Sequence, residues 1–159
     1  MSLRVATVFS GIGAIEHALD RMGIDHEIVL ACDNSNINPF ERLAFDQMTS
    51  FCERLKQLGA TTTTWVDDFD KMDLLPKSQS LVLNSTDFIK ALTESILTIK
   101  DPSSARTAVN ELYGLSRRQP FVERSYLANY DVPEGHFHKD ITMLSGEQYA
   151  GGVDLFVGG

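Results

Sequence analysis

Val5-Ala-Thr-Val-Phe9-Ser10-Gly11-Ile12-Gly13-Ala14 is the stretch whose reading decides the fold. An apolar run long enough for one strand feeds a phenylalanine, then a Gly-x-Gly turn, then a segment with helical periodicity. Strands that turn into helices on glycines are how α/β folds bring backbone amides up to a nucleotide-like ligand. Phe9, just ahead of the glycines, offers a flat apolar face to an aromatic base. Residues 4–9 therefore read as a buried strand, and 13–22 as a helix with Ile15, Ala18, Leu19 and Met22 on one face. Gly23 suits the end of that helix. Glu27-Ile-Val-Leu-Ala-Cys32 is a second apolar strand, ending at Asp33-Asn34. Strand, helix and strand within about thirty residues make one βαβ unit, hence a parallel pair.

A different regime follows. Phe40, Leu43, Ala44, Met48, Phe51, Leu55 and Leu58 recur at helical spacing and predict a helix over 40–58. The run Thr61–Thr64 with Trp65-Val66 reads as extended, and Ser80-Leu-Val-Leu83 as a short strand. Residues 87–99 repeat the helical pattern, and Asp101-Pro102 opens a further helix that stops at Gly114. Pro120, Pro133 and Gly135 punctuate a polar stretch. Order returns with His138-Lys139-Asp140-Ile141, a short helix-like segment, and the buried-type strand Val153-Asp154-Leu155-Phe156-Val157 before Gly158-Gly159. The pattern is a doubly wound α/β core from 1–35 and 137–159, with a long, mainly helical insertion, 36–136, between its second and third strands.

At 159 residues and 43% hydrophobic, the chain can bury one core. It holds no apolar run of about 18 residues and lacks the n- and h-regions of a signal peptide, so a cytoplasmic protein with no membrane partner is expected. The two cysteines, Cys32 and Cys52, form neither a disulfide framework nor a metal-ligand pattern. A net charge of −8 argues against a broad nucleic-acid surface, because counterion release from clustered Lys and Arg supplies most such affinity. The sharpest basic cluster is Arg117-Arg118, with Arg106 and Arg124 nearby; it either reaches a nucleic-acid backbone or simply solvates a helical buttress.

Several single features are weak alone. A dinucleotide fingerprint would place a third glycine where this chain has Glu16, which counts against a dehydrogenase. Asp33 lies twenty residues after Gly13, at the end of the second strand, where its carboxylate can accept both ribose hydroxyls. A bond to a charged acceptor contributes roughly 1.5–3 kcal/mol. The bland alternative makes Phe9 core, the glycines a turn and Asp33 a cap. Asp140 alone reads as a cap. His136 and His138 alternate on one side of an extended segment, but a metal needs three or four ligands and no third is near. No metal is expected.

Taken in order, these pieces resemble the DNA (cytosine-5)-methyltransferase family. Phe9-Ser10-Gly11-Ile12-Gly13-Ala14 is similar to its first motif, which binds S-adenosylmethionine. Ala31-Cys32-Asp33-Asn34 is similar to the second, whose acidic residue holds the ribose, and Lys139-Asp140-Ile141 to the third, which contacts the adenine. Asp154-Leu155-Phe156-Val157-Gly158-Gly159 is similar to the approach to the fourth, where a Pro-Cys pair carries the catalytic thiolate.

The resemblance implies a Rossmann-like S-adenosylmethionine-dependent methyltransferase core. Its cofactor-binding residues would be Phe9, Ser10, Gly11, Ile12, Gly13, Asp33, Asn34, Asp140, Ile141 and Gly159. In that chemistry a cysteine adds to C6 of a flipped-out cytosine, and the activated C5 takes the methyl group. The nucleophile is expected just beyond Gly159, so no catalytic residue is assigned here and the isolated chain is expected to be inactive. Double-stranded DNA would be gripped by a C-terminal part outside these residues, or with a complementing chain if the enzyme is split. The strand at 153–157 would then be an exposed hydrophobic edge. A bacterial restriction-modification enzyme is the expected setting. A tRNA cytosine-5 methyltransferase of the same family and a non-catalytic S-adenosylmethionine-binding subunit are the alternatives.

Overall fold

Three largely apolar segments and the short Phe137–His138 build one parallel sheet. In the computed structural model, which describes residues 2–41, 43–72, 76–116 and 118–158 (side chains of Trp65, Asp70, Pro76, Lys77 and Ser80 excepted), these are β1 (Leu3–Val8), β2 (His26–Cys32), β3 (Phe137–His138) and β4 (Leu155–Gly158). Their order is β3-β2-β1-β4, all parallel. β1 pairs with β2 from Leu3↔His26 to Val8↔Cys32, with a register shift between Val5 and Ala6, and with β4 from Val5↔Leu155 to Val8↔Gly158. The chain leaves β1 toward β2 on one side, and β4 returns on the other. The C-terminal end of β1 is therefore the point where the strand order reverses, where open α/β sheets leave a crevice for ligands.

By its contacts the chain forms two units, Met1–Ile37 with Arg118–Gly159, and Asn38–Arg117. In the first, α1 (Ala14–Arg21) follows the glycine turn, and Gly23, with φ +67°, lies just past its end. α1 buries Glu16 and Leu19, whereas Met22 is exposed, so its inward face is rotated from the one expected. α7 (Phe121–Asn129) packs through Tyr126 on the sheet face formed by Ile28 and Ala31, with Tyr130, Val132 and Phe137 around it. The opposite face, Ala6, Val8, Leu30 and Cys32, is covered by Ile141, Leu144, Tyr149 and Val153. Those residues come from 141–153, whose only regular elements are two short 3-10 turns.

The second unit is helical: α2 (Phe45–Gln57), α3 (Thr64–Asp67), α4 (Pro76–Leu83), α5 (Thr86–Leu97) and α6 (Pro102–Gly114). Phe69 stacks between Phe45 and Phe88, with ring centroids 4.4 and 4.9 Å away. Met48, Leu55, Leu92, Ile96 and Leu112 complete its buried centre. Ser85 caps α5 by accepting the Phe88 N–H, and Asp101 caps α6 by accepting the Ser104 N–H at 2.9 Å, with Pro102 in the first turn as expected.

Four expectations need correction. The helix over 40–58 begins only at Phe45, because Asn38 Oδ1 accepts the Phe40 N–H and holds a turn there, even though Phe40 is buried. Of Thr61–Val66, read as extended, Thr63 is so, but α3 starts at Thr64, with Thr62 Oγ1 donating to Asp67 Oδ1. Ser80–Leu83 is the last turn of α4, whose proline at the first position has the φ a helix start requires. Residues 118–136, read as part of the insertion, group with the sheet unit and contain α7.

Candidate functional site

The turn after β1 is built on positive φ angles at Phe9 (+56°), Gly11 (+54°) and Gly13 (+87°). Phe9 cannot relax there as glycine can, and the residue is 61% exposed at the end of the strand. Ser10 fastens the turn to β2. Its N–H donates to Cys32 O (3.2 Å), its Oγ accepts the Cys32 N–H (3.3 Å), and that oxygen lies 2.9 Å from Thr7 Oγ1. The Gly13 N–H closes the turn onto Ser10 O at 2.9 Å. Ile12 projects outward, 67% exposed. Beyond it, the first N–H groups of α1 have no intrahelical acceptor, as at every helix start, and no side chain caps them.

Asp33 ties the second loop to the first. Its Oδ2 accepts the Gly11 N–H (2.9 Å), its Oδ1 accepts the Ser35 N–H (2.7 Å), and its own N–H donates to His138 O (3.1 Å). Each carboxylate oxygen keeps a second lone pair for an incoming hydroxyl. Asn34 Oδ1 accepts the Asn36 N–H, and Ser35 and Asn36 both have positive φ. Ser35 Oγ is buried without a hydrogen-bond partner. Among the described residues, the three non-glycine residues with positive φ thus all lie just past the ends of β1 and β2. Such strain persists only where the surroundings enforce it, and it collects at ligand sites.

Asp140, beyond β3, caps the following 3-10 turn by accepting both the N–H and the hydroxyl of Thr142. Ile141 packs against the buried cluster of Ala6, Val8, Leu30 and Cys32. Phe9, Ser10, Gly11, Ile12, Gly13, Asp33, Asn34, Asp140 and Ile141 therefore all stand at the C-terminal ends of three adjacent strands. Gly159 lies outside the described residues. Its neighbour Gly158 ends β4 beside Val8, where an added Cβ would sit 3.3 Å from the valine Cγ2.

Burial, with the carboxylates of Asp140 and Asp33 adding to it, pushes the Cys32 thiol up to about 12, and Cys52 is buried in the helical unit. A thiol so raised and buried as Cys32 is a poor nucleophile at neutral pH. His138 pairs through Nε2 with Tyr149 Oη at 2.6 Å, while His136 Nδ1 is buried without a partner. Among the described residues no group of three His, Cys, Asp or Glu side chains could hold a metal. Of the basic cluster, Arg117 is outside the described residues, and Arg106 and Arg124 fall in different units.

The sequence reading missed the support beneath the turn. Glu16, seen only as the absence of a third glycine, is fully buried and accepts hydrogen bonds from Tyr126 Oη and from Thr7 Oγ1 (2.9 Å). Tyr130 Oη donates to Gly13 O at 2.7 Å. Burial, and then Glu16, push the Tyr126 hydroxyl far above the ordinary phenol range; Tyr130 is raised for the same reasons. One signal was available: Glu16 stands three residues before Leu19, an acid inside the apolar stripe of a helix.

Comparisons with protein-family models, curated proteins and solved structures give no match. Among the described residues no helix is long and apolar enough to cross a membrane.

Proposed function

We propose that this chain is the S-adenosylmethionine-binding portion of a DNA (cytosine-5)-methyltransferase, in the setting of a bacterial restriction-modification system. The observation that carries the reading is the bond from the Gly11 N–H to Asp33 Oδ2, at the place where the strand order reverses. It brings a glycine turn and an acidic strand end within reach of one nucleoside. Asp33 would accept the ribose hydroxyls on its remaining lone pairs. Phe9 would flank the adenine, whose edge would meet Asp140 and Ile141. The N–H groups of Ile12 and the first turn of α1 would receive the methionine carboxylate, since those of Gly11 and Gly13 already serve the turn.

The bound cofactor would supply an electrophilic methyl group. The protein's part is then to hold it at the rim and to exclude other nucleosides. Cys32, with its raised thiol, and Cys52, buried, would not supply the thiolate that activates cytosine. The same geometry would serve a tRNA methyltransferase of that family.

Calorimetry with S-adenosylhomocysteine and with NAD tests the reading. The expected result is binding of the adenosyl ligand only, weakened tenfold or more by Asp33→Ala, the equivalent of about 1.4 kcal/mol or more. Preference for NAD, or indifference to Asp33→Ala, would sink it.

A further inference from the structure

The geometry points to Tyr130 and Tyr126 as positioning residues that hold the glycine turn in its ligand-binding shape. The inference rests on the adenosyl reading of that turn and adds what keeps it formed. Tyr130 donates to Gly13 O, the same carbonyl that accepts the first intrahelical N–H, from His17 at 3.1 Å. The hydroxyl thus grips the turn at the residue where it becomes helix. The ring fills the volume above Gly13: a Cβ placed there would lie 2.1 Å from its Cε2 and 2.5 Å from its Cζ. Side-chain capping cannot do this work, because the residue before α1 is glycine.

A second line of contact runs deeper. Tyr126 donates to Glu16, Glu16 also accepts from Thr7, and Thr7 Oγ1 meets Ser10 Oγ, which holds the turn against β2. The two tyrosine rings lie 4.9 Å apart at 45°, so both lines share one packed support. Filling space alone does not account for these groups. A phenylalanine would pack equally well at 130, and a buried acid at 16 has no apolar purpose. Neither tyrosine need touch a ligand. Each acts through Gly13 or Ser10, so residues late in the chain set the shape of a loop formed near its beginning.

Tyr130→Phe in the purified chain keeps the ring and removes the bond. The expected result is a melting temperature lower by no more than about 4 °C, with faster amide hydrogen exchange confined to Ser10–His17. Affinity for S-adenosylhomocysteine should fall roughly three- to tenfold. Tyr126→Phe should speed exchange over the same residues with a larger fall in melting temperature, since Glu16 loses a donor. Unchanged exchange and affinity in Tyr130→Phe would overturn the inference. So would loss of protection spread evenly over β1 and β2, which would make the tyrosine a core residue only. If the unsubstituted chain does not bind S-adenosylhomocysteine, the adenosyl reading falls instead, and the exchange experiment still decides whether the tyrosines hold the turn.

Discussion

Replacing Gly13 by alanine should damage the protein far more than the same change at Gly11, two residues away. Both glycines have positive φ, +87° and +54°, so each alanine carries a left-handed backbone penalty of about 1–2 kcal/mol. At Gly11 nothing lies within 4 Å of the new Cβ, and the cost stops there. At Gly13 the Cβ would meet the Tyr130 ring at 2.1 and 2.5 Å and its hydroxyl at 2.8 Å, so the side chain must leave. Its hydrogen bond to Gly13 O contributes about 0.5–1.5 kcal/mol. Its contact with Tyr126 contributes about as much again. The excess at Gly13 is therefore roughly 1–3 kcal/mol, or about 3–10 °C in melting temperature for a chain of this size. Thermal denaturation followed by circular dichroism at 222 nm reads this directly. A double-substitution cycle sharpens it: in a Tyr130→Ala background the two alanines should cost nearly the same. Equal shifts for Gly11→Ala and Gly13→Ala in the unsubstituted chain would refute the reasoning.

Other perturbations separate further parts of the structure. Asp154 receives the Arg4 guanidinium at 2.8 and 2.9 Å, and the Arg4 N–H as well, which hold its carboxyl down at about 2, below the roughly 3.9 of an unfolded chain. A depressed carboxyl stabilises the fold above its unfolded value and stops doing so as pH falls through its folded one. Urea midpoints of Asp154→Asn and the unsubstituted chain should thus differ at pH 7 and converge between pH 4 and 2; a constant gap would contradict the pairing. Iodoacetamide at pH 8 should leave Cys32 and Cys52 unmodified by mass spectrometry until urea is added, and rapid native alkylation of Cys32 would contradict its burial. Ser85→Ala removes a helix cap and should cost about 1 kcal/mol in urea unfolding; a cost near zero would mean that α5 begins elsewhere.

What was legible in the sequence was local and strongly patterned. β1, the glycine turn, α1 and β2 follow from one apolar run, two glycines and a second run ending in Asp33, all near each other along the chain. Segments with weaker patterns misled. α7 has no apolar stripe: Tyr126 is its sole fully buried residue, while Phe121 and Leu127 face outward, so periodicity could not find it. Four apolar or small residues at 80–83 fit a strand or a helix turn equally, and the proline upstream decided between them. At the candidate site, the residues on the rim were visible as motif positions. The tyrosines beneath were not, because more than a hundred residues separate Glu16 from Tyr126 in the chain but a single hydrogen bond joins them.

The sheet has one property that concerns its assembly. Its two central strands come from the first 32 residues, whereas both outer strands come after residue 136. Pairing Val5 with Leu155 closes a loop of 150 residues, and β2 cannot meet β3 until more than a hundred residues have been made. The helical unit between them is one continuous stretch of chain, Asn38–Arg117, and helical units as a class form fast. Once formed, it shortens the flexible length that the sheet must close, and each halving of that length recovers about 0.6 kcal/mol of loop entropy. Completion of the sheet thus waits for its last strands to be made. Its first two strands wait with both edges open until its last ones arrive, and they are the segments that a chaperone would need to shield.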